Sequence, residues 1–76
     1  MKHTPAYHFA RAIELLGSQA AMAEACGVSQ PAISKAIARG RWSGEWAIAI
    51  ERALKGEVTR EQLRPDLFSR KKSEAA

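Results

Sequence analysis

A chain of 76 residues has room for one small domain and no second core. Its formal charge of +4 and pI near 9.7 favour an anionic partner, and its single cysteine excludes an internal disulfide. No run approaches the roughly 20 apolar residues of a membrane helix, and MKHTPAYHF lacks the apolar stretch of a secretory signal, so the chain reads as cytoplasmic.

Alanine is abundant and alternating Val/Ile/Thr/aromatic runs are nearly absent, which predicts an all-α domain. Thr4 as cap and Pro5 at the first helical position start the first helix. Phe9, Ala12, Ile13 and Leu16 form its buried stripe, and Gly17 ends it. Ser18 caps a short second helix with Met22, Ala25 and Cys26 inward, stopped by Gly27 and followed by Val28 as a buried plug. Ser29 caps a third helix, which tolerates Pro31 in its first turn, turns Ile33, Ala36 and Ile37 inward, and stops at Gly40.

Ser43 opens a fourth helix with Trp46, Ile50, Ala53 and Leu54 at i, i+4, i+7 and i+8, closed by Gly56. VTREQL then has capping-box form, with Thr59 at the cap, Gln62 three later, and Val58 placed to staple onto Leu63. Pro65 is expected to end this fifth helix, with Leu67 and Phe68 folding back on the core. The expected organisation is therefore a five-helix domain over residues 1–68 and a flexible tail over 69–76.

The stretch SQAAMAEACGVSQPAISKAIARGR carries the functional signal. Two short helices joined by a glycine-containing turn make a helix-turn-helix. Gly27 supplies a left-handed backbone, and Ala23 is small where the helices cross. With Ile33 and Ile37 inward, about 100° per residue turns Pro31, Ser34, Lys35 and Ala38 outward, with Gln30 on the flank. No acidic residue lies between Glu24 and Glu45, whereas Lys35, Arg39 and Arg41 do. Such a face suits a DNA major groove about 12 Å wide: Gln pairs with adenine, Lys donates to guanine, and Ala38 or Pro31 touches a thymine methyl. Arg39, Arg41 and Trp42 are placed to run beside a phosphate strand, with core packing the alternative for Trp42.

Gln19, Ala23, Gly27, Val28, Gln30, Ile33 and the run Lys35–Ile37 resemble the helix-turn-helix of the phage Cro and repressor proteins. The wider chain, including VTREQLRPDLF, is similar to the small YdaS-type, Cro-like regulators over residues 8–68. That resemblance implies a five-helix, lambda repressor-like domain that binds double-stranded operator DNA as a homodimer. It implies that Gln19 contacts phosphate and that Gln30 reads a base while hydrogen-bonded to Gln19. It further implies that Ser29, Pro31, Ser34 and Lys35 line the groove; Pro31 departs from the polar residue of several Cro proteins.

The bland readings are a plain helical bundle and a solvated basic face. Cys26 sits where the motif needs an apolar residue, so it reads as a buried, inert thiol. His3 and His8 have poor spacing for a metal pair, and no catalytic triad, phosphate-cradling loop or ligand cluster appears, so no enzyme, metal, cofactor or small-molecule substrate is expected. Ile48 and the segment 63–68 are candidate dimer contacts. An antitoxin-like protein-interaction module is the alternative; an RNA-binding domain would need an exposed aromatic platform, which is lacking.

Overall fold

The computed structural model describes residues 4–68, so His3 and the expected tail at 69–76 lie outside the described residues. Those described form six helices and no strand: α1 (Pro5–Leu16), α2 (Gln19–Cys26), α3 (Gln30–Arg39), α4 (Gly44–Ala53), α5 (Arg60–Leu63) and α6 (Pro65–Phe68). The sixth corrects the expectation of five. Proline's fixed φ suits the first position of a helix, so Pro65 opens a further turn rather than only stopping the one before.

Local chemistry fixes the starts. Thr4, Ser18, Ser29, Ser43 and Thr59 each accept a hydrogen bond from the backbone N–H three residues on. Each such cap contributes about 1 kcal/mol. At α5 the bond is reciprocal, since Gln62 Oε1 accepts from the Thr59 N–H at 3.0 Å. A four-residue helix has no stability alone. This one is held by its capping box and by Val58 and Leu63, both fully buried.

α2 packs against α1, α3 and α4, α5 against α1 and α4, and α6 against α5. The core comprises Phe9, Met22, Ile33, Trp42, Ile50, Val58 and Leu63, with Ala12, Ala23, Ala36 and Ala47 between them. Each of the first four helices thus buries an alanine, and small side chains at crossings permit close interhelical approach.

Several expected faces are rotated. In α3, Ile33 and Ala36 are buried but Ile37 is 43% exposed. The pair three apart sets which side meets α2, and Ile37, a further 100° round, falls at the rim. In α4 Ala53 is exposed and Ala47 fills the stripe instead, while Ile48, the candidate dimer contact, is half-buried. Trp46 and Leu54 are half-buried against the core. α4 ends at Ala53, before Gly56, and Lys55 and Gly56 both take positive φ (54° and 88°) in the turn that follows. Of the two residues expected to fold back, Phe68 is half-buried against the core with Arg60 5.7 Å above its ring, but Leu67 is 53% exposed.

Candidate nucleic-acid interface

The turn between α2 and α3 is three residues, Gly27, Val28 and Ser29. Gly27 lies in the left-handed region at φ 71°, ψ 34°. Its N–H donates to the Glu24 carbonyl at 3.2 Å, and the Val28 N–H to the Ala23 carbonyl at 2.9 Å. This paired closure is a Schellman motif, which satisfies two carbonyls that the end of a helix leaves open. Gly40 ends α3 the same way at φ 69°, with Gly40 N–H to Ile37 O and Arg41 N–H to Ala36 O, both at 3.2 Å. The second closure folds Arg41 back beside the end of α3.

Ser29 caps α3, so its hydroxyl is engaged by the Ala32 N–H at 3.4 Å. Beyond it Gln30, Pro31, Ser34, Lys35 and Ala38 are all exposed on α3, as are Arg39 and Arg41. The five residues assigned to base contact therefore share an open surface, and no carboxylate lies on α3.

The cations of the fold divide into two groups. Arg60 pairs with Glu51 at 2.6 Å, Arg64 with Asp66 at 2.7 Å and Arg11 with Glu57 at 3.8 Å. Lys35, Arg39 and Arg41 are in none of the ion pairs found among the described residues. Instead they line one cleft of about 450 Å³ between α3 and the start of α4, with Ser43 and Trp46. No carboxylate lines it. Arg52 and Lys55, also outside those pairs, lie at the opposite end of α4. Three charges with no ion-pair partner among the described residues, set around one concavity, sum to a positive field that an anion can enter.

Ser43 and Trp46, read from sequence as a cap and a core residue, were not among those assigned to DNA contact. The legible signal was a helix-capping serine two residues after Arg41, which sets the positive end of α4 beside the basic run.

Two sequence assignments need correction. Trp42 is only 7% exposed, its ring stacks on Phe9 with centroids 4.1 Å apart, and its indole N–H donates to the Leu63 carbonyl at 3.0 Å. With its one donor engaged inside the protein, its indole is not a phosphate ligand. Gln19, half-buried at the first position of α2, is bonded not to Gln30 but to Ser34, whose hydroxyl donates to Gln19 Oε1 at 2.9 Å. Ser34 lies one turn beyond Gln30 on α3 and carries the shorter side chain.

The remaining polar features point elsewhere. Burial pushes the Cys26 thiol up to about 11, in keeping with an inert residue, and its Sγ lies 3.9 Å from Met22 Sδ. Among the described residues no helix is long and apolar enough to cross a membrane.

Comparison with known proteins bears on this arrangement. Over 62 residues, 80% of this chain, the sequence is 45% identical to a protein of Escherichia coli (strain K12) named "Putative transcriptional regulator YdaS". The chain spans 63% of the length of that relative. No solved structure matches the chain. The family model described as "Bacterial toxin YdaS" matches residues 9–72, which takes in all of α2, α3, the basic cleft and both closing helices. The chain belongs to the YdaS family.

Proposed function

We propose that this protein is a sequence-specific, double-stranded-DNA-binding regulator of transcription that acts as a Cro-like repressor. In this reading α2 and α3 are the helix-turn-helix of a lambda repressor-like domain, and α3 enters the major groove. Gln30, Lys35, Pro31 and Ala38 meet base edges, Arg39 and Arg41 meet phosphates, and Gln19 and Ser29 anchor the ends of α2 and α3 on the strand. The action is occupancy of a site: no bond is made or broken and no cofactor is required.

One observation carries the reading. An acid-free helix face adjoins a cleft lined by Lys35, Arg39 and Arg41, while Arg11, Arg60 and Arg64 are paired with carboxylates. The regulator name of the Escherichia coli relative supports the same direction.

Affinity arithmetic favours a homodimer. Each base pair read contributes about 1–3 kcal/mol of discrimination, and one short helix reads only a few. Non-specific binding alone reaches about 10⁻⁴ to 10⁻⁶ M, whereas specific sites are typically bound at about 10⁻⁸ M or tighter. Two copies with their groove helices about 34 Å apart, on a palindromic site, close that gap. Selection of bound duplexes from a random pool, followed by sedimentation on the recovered site, tests both statements. A palindromic motif bound by two protomers is expected; no enrichment, or one protomer per duplex at saturation, overturns the corresponding part.

A second reading is favoured by the family description as a toxin and by a small apolar groove between α1 and α3, lined by Ala6, Phe9, Ala10, Ile13 and Ile37. In it the chain is a protein-interaction module of a toxin–antitoxin pair. Substituting Gln30 and Lys35 would then leave its activity intact.

A further inference from the structure

The hydrogen bond between Ser34 and Gln19 separates two roles that residues on α3 could share. A serine hydroxyl carries one proton. Here that proton is directed across the helix pair to Gln19 Oε1, 2.9 Å away. Ser34 is then left with acceptor lone pairs on the open side and no donor for a base. Gln19 is left with its amide oxygen occupied and two N–H donors remaining. It stands at the first position of α2, the positive end of the helix dipole, where the Ser18 hydroxyl already takes the Ala21 N–H.

We infer that Ser34 is a positioning residue that orients the Gln19 amide for a phosphate, and that base reading falls to Gln30 and Lys35 on the same helix. The inference rests on the DNA-binding reading above and deepens it. It reassigns Ser34 from the base-reading set, and it removes the constraint that a Gln19–Gln30 bond would put on Gln30. Because the bond joins the first turn of α2 to the middle of α3, it also fixes how the phosphate anchor and the groove helix lie relative to one another.

The test uses the full chain as wild type, Ser34→Ala, Ser34→Thr, Gln19→Ala and the double variant. Each is titrated against a selected duplex and against duplexes with single base-pair changes. Melting curves show that each variant is folded. Ser34→Ala is expected to weaken every duplex by the same factor, about two- to tenfold, the size of one hydrogen bond. The double variant should be no weaker than Gln19→Ala, and Ser34→Thr, which keeps the hydroxyl, should restore binding. A merely structural serine would give losses that multiply in the double variant.

Multiplying losses, a Ser34→Ala change in preference at one base pair, or failure of threonine to rescue would each overturn the inference while leaving DNA binding standing. Failure of the wild type to bind any duplex would remove both.

Discussion

Trp42 and Leu63 are joined by a buried hydrogen bond, indole Nε1–H to main-chain carbonyl at 3.0 Å. The contact is answered from the other side. The Arg64 guanidinium donates to the Trp42 carbonyl, and Asp66 grips that guanidinium with both oxygens, at 3.0 and 2.7 Å. The segment leaving α3 is thereby tied to the corner between α5 and α6. Arg41 and Ser43, on either side of Trp42, line the basic cleft, and the tryptophan between them, packed into the core, forms part of its wall.

Replacing Trp42 with Phe keeps an aromatic ring against Phe9 but removes the donor to Leu63. A buried carbonyl left without its partner costs about 1–3 kcal/mol. Urea unfolding should show a lower midpoint at unchanged slope, the sign of lost stability rather than an altered unfolded state. An unchanged midpoint would mean that the bond contributes nothing.

Gly27 offers a test of backbone strain alone. A Cβ built there meets nothing within 4 Å, so an alanine would suffer only from φ 71°. The left-handed conformation costs an L-residue about 1–2 kcal/mol. For a domain of this size each kcal/mol lowers the melting temperature by about 4–8 °C. Gly27→Ala should show that drop, and Gly27→Asn less of it, because Asn visits this region more readily. Equal melting temperatures for all three would refute the assignment of the turn.

On the DNA-binding reading, Lys35 and Arg41 should fail differently. Lys35→Ala is expected to relax preference at one position of the site by about 1–3 kcal/mol. Arg41→Ala should weaken all duplexes alike and make the plot of log affinity against log salt shallower by about 1. Identical losses on specific and random duplexes from both variants would contradict this division.

Acid should unfold the protein partly through Glu51. The Arg60 side chain, hydrogen-bonded at 2.6 Å, holds its carboxyl below the ordinary value of 4.5. The unfolded chain therefore takes up the proton first as pH falls, so this pair's stabilisation is complete above 4.5 and is lost as pH drops through the lower folded value. Asp66, depressed by its hydrogen bond to Arg64, acts in the same sense. Glu51→Gln should lower stability at neutral pH and flatten the decline on the acid side. A parallel acid limb in the variant would show that the pair is not responsible.

Cys26 should be slow to modify. A thiol raised from 9.0 to about 11 has far less thiolate at pH 8 than one in an unfolded chain. Its reaction with a thiol reagent should be slower by at least about tenfold in the folded protein, and urea should abolish the difference. Equal rates in buffer and urea would place the thiol in solvent.

The sequence alone determined the punctuation of the fold: five capping hydroxyls, the glycine ends of α1 to α3 and the box at Thr59 sit where their residue types demanded. It also determined that one stretch would carry cations without acids. These features depend on contacts within about four residues, which the chain cannot help bringing together. What tertiary structure decided were the choices between distant partners. Ala36 rather than Ile37 is buried, Trp42 turns inward to Leu63, Gln19 pairs with Ser34, and Trp46 joins the basic cleft. Each depends on how a helix is rotated against another one far away in the chain, and no local propensity encodes that angle.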